Sequence, residues 1–214
     1  MANGIDYKAQ GKALIENIKK MYGLDQRVIE AARSIPRHLF VPQKLRYQAY
    51  EDIALPIDEG QTISQPSLVA FMTNALEIKE SDKILEIGTG SGYQAAILGK
   101  LARQVITIER IENLAEKAKK LLKRLGFLNI TVICGDGTLG FSEVAPYDAV
   151  IVTAAFEKMP PPLLEQLKDG GRLVMPVGGR DVQTLLKITK QGKSYLEKEL
   201  LPVQFVPLVG EFGY

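Results

Sequence analysis

Seven consecutive residues constrain this chain more than any others: Glu86, Ile87, Gly88, Thr89, Gly90, Ser91 and Gly92, standing where a β-rich run over residues 83–87 gives way to a helical pattern. Three glycines let the backbone turn tightly and come close to a ligand. A strand entering such a loop needs parallel neighbours and cover on both faces, and the downstream pattern supplies them. Residues 104–109, 130–134 and 149–153 read as further strands separated by helices. The helix expected over 111–125 turns Leu114, Ala118, Leu121, Leu122 and Leu125 inward. Lys117, Lys119, Lys120, Lys123 and Arg124 form a solvated face, helped by Glu116 one turn before Lys120. The alternation predicts an α/β fold with a mostly parallel sheet and helices on both faces. Beyond a turn at Asp169, Gly170 and Gly171, strands are expected over 172–177, 184–189 and 203–208, the last ones partly antiparallel.

Upstream of residue 82 the pattern is helical. Leu14, Ile15 and Ile18 recur at helical spacing, Asp25 stands as the N-cap of a helix carrying Val28, Ile29, Ala31 and Ala32, and Pro66 suits the first turn of a helix over 65–76. The 214 residues, 46% of them hydrophobic, suit one domain: a helical part over 1–80 and an α/β core over 82–214. A net charge of +2, from 27 basic and 25 acidic residues, is too balanced for a dedicated nucleic-acid binder. The single cysteine, Cys134, excludes an intrachain disulfide framework and a cysteine zinc cluster, which fits a reducing cytoplasm; as the end of an apolar strand it reads as core. No stretch approaches the roughly 20 apolar residues of a membrane span, and the first residues show no apolar leader. His38, the only histidine, has no partner for a metal site, and no metal is expected.

Glu109 ends the second strand about 20 residues beyond the first glycine, placed to accept hydrogen bonds from both hydroxyls of a ribose, with Arg110 beside it. A nucleoside cofactor follows, but the glycines alone leave it open, because Gly90, Gly92 and Ala95 also satisfy the dinucleotide fingerprint. Two features favour S-adenosylmethionine. Glu86 could serve a cationic amino-acid end and would repel a pyrophosphate; Asp136, followed by Gly137, offers a carboxylate to an adenine amino group. Thr153, at a strand's carboxyl end, is a candidate for the cleft wall, and the stretch Thr153-Ala154-Ala155-Phe156 lacks the Asn/Asp-Pro-Pro-aromatic motif of base N-methylation.

Upstream, residues 55–66 read Leu-Pro-Ile-Asp-Glu-Gly-Gln-Thr-Ile-Ser-Gln-Pro. With this segment the chain resembles the protein-L-isoaspartate O-methyltransferases over nearly its whole length. The markers stand in order: Pro36-Arg37 with Phe40-Val41-Pro42, Tyr50 and Asp52, residues 60–66, residues 86–96, Asp136-Gly137, Tyr147-Asp148, Gly170-Gly171 and residues 205–208. The resemblance implies a doubly wound, Rossmann-like methyltransferase sheet, S-adenosylmethionine as sole cofactor, and methyl esterification of the free α-carboxylate of L-isoaspartyl residues in damaged proteins and peptides. It implies Ser64 as the active-site residue, with Gln61, Thr62 and Ile63 lining the substrate site. The sequence leaves the oligomeric state open with a monomer favoured, and charge balance and the lack of a span argue against nucleic-acid and membrane partners. On local pattern alone, Ser64 reads first as the N-cap of the helix at Pro66, a role one residue can combine with an active-site role. Asn3-Gly4 is a candidate site of spontaneous isoaspartate formation in the chain itself.

Overall fold

A computed structural model describes residues 5–214; Asn3 and Gly4 lie outside the described residues. Two capped helices come first, α1 (Tyr7–Tyr22) and α2 (Gln26–Ser34). Asp6 Oδ1 accepts from Ala9 N–H at 2.9 Å and Asp25 Oδ1 from Arg27 N–H at 2.7 Å, each satisfying an amide that the first helical turn leaves free. Short 3-10 turns lead to a two-stranded hairpin, β1 (Leu55–Pro56) and β2 (Thr62–Ile63), and then to α3 (Pro66–Ala75).

Thereafter the chain forms the main sheet and its helices: β3 (Lys83–Ile87), α4 (Tyr93–Leu101), β4 (Gln104–Glu109), α5 (Glu112–Arg124), β5 (Ile130–Cys134), β6 (Tyr147–Val152), α6 (Pro161–Glu165), β7 (Leu167–Gly178), β8 (Gln183–Gln191) and β9 (Ser194–Val203). The main sheet has the order β5-β4-β3-β6-β7-β8-β9, parallel from β5 to β7 and antiparallel from β7 to β9. The chain winds outward from β3 to β5, then returns to place β6 on the other side of β3. The crevice at the strands' carboxyl ends therefore opens at β3, where such sheets bind ligands.

Two cores sandwich the sheet, sorted by the two-residue period of its strands. Ile84, Val105, Ala149, Ile151 and Val174 join the core beneath α1–α4; Leu85, Ile106, Val150, Leu173 and Met175 join the other. Helix α4 is buried nearly all round, between sheet and N-terminal helices, whereas α5 buries only Leu114, Ala115, Ala118 and Leu122. The basic residues of α5 face solvent as expected, and Lys120 approaches Glu116 at 3.8 Å.

Four expectations need correction. No helix separates β5 from β6, only two short 3-10 turns at Gly137–Leu139 and Ser142–Val144. Asp169, Gly170 and Gly171 lie within β7 rather than in a turn before it. The last strand is β9, which ends at Val203, and the expected strand over 203–208 is instead irregular backbone from 204 on, joined to the sheet by a single bridge from Pro207 to Ala155. Cys134 is exposed, because β5 is an edge strand and its last residue has no neighbour on one side.

Candidate active site

At the carboxyl end of β3 the backbone takes Gly88 to φ +92° and Gly90 to φ +52°, which L side chains rarely adopt. A Cβ on Gly88 would also collide with the Thr153 hydroxyl, which donates to Gly88 O at 2.7 Å and closes the loop against the end of β6. The loop's own amides are turned inward. Gly88 and Thr89 N–H donate to Ile108 O, Gly92 N–H to Thr89 O, and Gly90 N–H to Glu109 Oε2 at 2.8 Å. With those donors engaged the loop offers no amide nest to a pyrophosphate, which removes the main appeal of the dinucleotide reading.

Glu109 is 7% exposed at the end of β4 and holds Gly90 with one oxygen and Ile111 N–H with the other, at 3.0 Å. Each carboxylate oxygen keeps a further lone pair, so a vicinal diol could still be received there. A cavity of about 100 Å³ lies against Glu109, Arg110, Gln61, Gly137 and Leu208. A larger one, about 620 Å³, is lined by Ile63, Ser64, Gln65, Thr89, Ser91 and Phe205 among others. Thr62, Gly88, Gly90, Thr153 and Val206 belong to the walls of both.

The β1–β2 hairpin crosses over this loop, paired Leu55 to Ile63 and Pro56 to Thr62. Its tip turns through Glu59 and Gly60 with φ of +59° and +67°, and is tied to α5 by Lys117 Nζ to Asp58 at 2.8 Å and by Asn113 Nδ2 donating to Glu59 Oε1 at 2.6 Å. The sequence gives no sign of this tether, since Lys117 reads simply as one of five basic residues on a solvated face.

Just past the hairpin stands Ser64, half-buried, its hydroxyl in no hydrogen bond among the described residues. It is not the cap of α3. That role belongs to Asp52, whose Oδ1 accepts from Ser67 N–H at 2.8 Å, while Oδ2 accepts from Gln65 Nε2 at 3.1 Å. A side chain remote in sequence thus supplies the acceptor that helix initiation needs, leaving the serine hydroxyl unengaged.

Three expected cofactor residues stand off the cavity walls. Glu86 is fully buried on β3, and burial pushes its carboxyl up to about 8; the neighbouring Thr107 hydroxyl works against the shift and the nearby Glu109 charge adds to it. Gly92 caps α4 and faces Ala118 and Leu122. Asp136 is engaged at both oxygens: Oδ1 accepts from Thr138 N–H and hydroxyl, Oδ2 from Glu211 N–H at 2.7 Å. Partial burial works to raise the Asp136 carboxyl, but the hydrogen bonds from Glu211 and Thr138 outweigh it and hold it below the usual carboxylate range. The tail it anchors brings Leu208 and Val209 to the smaller cavity. His38 lies elsewhere, stacked on Tyr7 at 4.1 Å and bonded to Tyr50 at 2.9 Å.

A family profile described as protein-L-isoaspartate(D-aspartate) O-methyltransferase matches residues 9–213. A protein-L-isoaspartate O-methyltransferase of Dictyoglomus turgidum is 54% identical over 208 residues, 97% of this chain and 94% of the relative. One from Methanoculleus marisnigri is 54% identical over 190 residues, 89% of this chain and 86% of the relative. Among solved structures, a protein-L-isoaspartate O-methyltransferase superposes with a TM-score of 0.85 at 31% identity, covering 95% of this chain and 67% of the other. A Plasmodium falciparum structure described as an enzyme of the same name, in complex with S-adenosyl-L-homocysteine, gives a TM-score of 0.80 at 26% identity over 92% of this chain and 97% of that one.

Proposed function

This chain belongs to the protein-L-isoaspartate(D-aspartate) O-methyltransferase family, and from that premise we propose that its smaller cavity takes the nucleoside end of S-adenosylmethionine and its larger one an isoaspartyl peptide. It is an S-adenosylmethionine-dependent methyltransferase that esterifies the free α-carboxylate of L-isoaspartyl residues, the step that initiates their repair. The observation carrying the assignment of roles is the shared wall. The glycine loop and Glu109 on one side, and Ser64 on the other, meet around cavities that have Thr62, Gly88, Gly90, Thr153 and Val206 in common.

The residues present suit that cofactor. Glu109 offers carboxylate oxygens to a ribose diol, Gly88 and Gly90 leave the approach bare of side chains, and Glu86 holds a buried carboxyl beneath the loop that is protonated near neutral pH and that a bound cation would draw toward its ionised form. When bound, S-adenosylmethionine supplies an electrophilic methyl group on a sulfonium. The chain's part is then mostly positioning. A substrate carboxylate has a reference pKa near ~4 and is already ionised at neutral pH, so no general base has to create the nucleophile. Ser64 donates to that carboxylate and orients it, and the hairpin carrying Gln61, Thr62 and Ile63 closes over the reacting groups and excludes water. Glu86, Gly92 and Asp136 act at one remove, the first as a buried titratable carboxyl beneath the loop, the others by fixing α4 and the tail; Arg110 lies on the nucleoside side.

We place the protein in the cytoplasm as a monomer, its helical part (1–80) and core (82–214) working as one domain on damaged proteins rather than nucleic acid. The single cysteine supports the reducing compartment, and no described helix is long and apolar enough to cross a membrane. The test of the catalytic assignment uses labelled S-adenosylmethionine and two synthetic peptides differing only in aspartyl or isoaspartyl linkage. Labelling of the isoaspartyl peptide alone is expected; equal labelling of both, or of neither while cofactor is bound, would defeat it.

A further inference from the structure

The amide of Gln65 has only one orientation available to it. Its Nε2 lies 3.1 Å from Asp52 Oδ2 and 3.0 Å from Ser67 Oγ. An ionised carboxylate can only accept, so the amide must turn its NH2 group to Asp52, and both protons are taken by these two partners. Asp52 is itself fixed, because its other oxygen holds Ser67 N–H at 2.8 Å. The carbonyl Oε1 is therefore the group Gln65 has left to offer. It carries no hydrogen bond among the described residues, on a half-buried side chain that lines the larger cavity next to Ser64.

The wall thus presents a hydroxyl donor and, one residue along, an obligate acceptor. An L-isoaspartyl residue carries the matching pair on a single carbon: its Cα bears both the free α-carboxylate and the residue's own N–H. In a normal aspartyl residue the free carboxylate sits one methylene away from the carbon that bears the N–H. The geometry points to Gln65 as a specificity-determining residue whose Oε1 accepts the N–H of the isoaspartyl residue while Ser64 holds its carboxylate, with Asp52 as the positioning residue that sets the amide. An acceptor oxygen at this place also disfavours a substrate that turns its carboxylate toward Gln65. This inference rests on the assignment of the larger cavity to the acceptor peptide.

The test compares a parent isoaspartyl peptide with a depsipeptide in which the isoaspartyl N–H is replaced by an ester oxygen, using kcat/KM and, separately, S-adenosylhomocysteine affinity by calorimetry. The wild type should lose about tenfold in kcat/KM on the depsipeptide, the equivalent of one hydrogen bond to a neutral donor. Gln65→Ala should lose a similar factor on the parent peptide and then treat both peptides alike, with S-adenosylhomocysteine affinity unchanged. Asp52→Asn keeps an oxygen for Ser67 N–H but sets its own NH2 against Gln65, which must rotate and offer Nε2 to the cavity. It should lose the discrimination between the peptides with its melting temperature nearly preserved. Wild-type enzyme indifferent to the ester, or Gln65→Ala retaining the full difference, would overturn the inference alone. Absence of turnover on the parent peptide with cofactor bound would overturn the cavity assignment and this inference with it.

Discussion

Ser64 and Glu86 are both small departures from what their neighbourhoods would ordinarily demand. A serine just before a helix ordinarily caps it, yet here Asp52 does so and the serine hydroxyl is left to the cavity. Ser64→Ala should therefore leave stability within about 0.5 kcal/mol of wild type while lowering turnover roughly tenfold, the loss of one orienting hydrogen bond. Chemical denaturation beside steady-state kinetics checks it, and a fully active but less stable variant would return the serine to a capping role. Glu86 is a carboxyl enclosed in the interior, and burial raises its pKa to about 8, above the ordinary carboxylate value. A group whose folded pKa is raised binds its proton more tightly in the folded state, so its stabilising contribution is complete at pH below the unfolded value. It is lost as pH climbs through the folded one, from about 4.5 to about 8. In that window cofactor-free wild type should lose on the order of 1 kcal/mol per pH unit from this residue, and Glu86→Gln should flatten the slope in pH-dependent denaturation. An unaltered slope would mean that Glu86 is ionised and compensated in the fold.

The β1–β2 hairpin is the element on which the two cavities depend, and its attachment to α5 is slight by design of its surroundings. Lys117 and Asp58 are each 55% exposed, so water and salt screen the pair and it adds little to overall stability. Lys117→Ala should leave the melting temperature nearly unchanged and raise KM for the peptide severalfold, an effect that 0.5 M salt should reproduce in wild type and fail to add to in the variant. Peptide kinetics across a salt series measure this; a variant with unaltered KM would detach the tether from substrate binding. Elements of this kind are also where the sequence was least legible. Strands β3, β4 and β5 fall on the residues that the sequence pattern marks, β3 and β4 because interior parallel strands are apolar on both faces, and edge strand β5 through its β-branched run Ile130 to Ile133. Strand β9 does not: Glu197, Lys198 and Glu199 read as solvent-facing, as befits an edge strand that must resist pairing with other chains. The apolar run after it reads as a strand, but its backbone serves the cavity instead, Phe205 N–H bonding Gln183 Oε1 and Leu208 N–H bonding Ala155 O. Glycines and Glu109 are legible because their spacing along the chain is their geometry; Asp52 and Gln65 meet only through the tertiary fold.

For the molecule as a whole, the helical N-terminal part and the sheet are riveted by one guanidinium. Arg172 on β7 donates to Leu76 O and Glu77 O at the end of α3, to Asp148 O on β6, and to Asp82 at 2.6 Å, the ion pair being 11% and 4% exposed on its two sides. Removing one partner of a sequestered pair strands the other charge, so Asp82→Ala should destabilise by about 3 to 5 kcal/mol, read from urea unfolding. A loss under 1 kcal/mol would show that the backbone carbonyls alone suffice. The five residues common to both cavity walls carry a further consequence, for inhibitor chemistry. Two ligands bound side by side against Thr62, Gly88, Gly90, Thr153 and Val206 would be neighbours rather than distant occupants. A nucleoside and a short peptide mimic joined by a linker of a few atoms would therefore hold each other in place at an effective concentration in the millimolar range. Two weak fragments, neither selective alone, would become one tight bisubstrate compound whose selectivity comes from the distance between its halves.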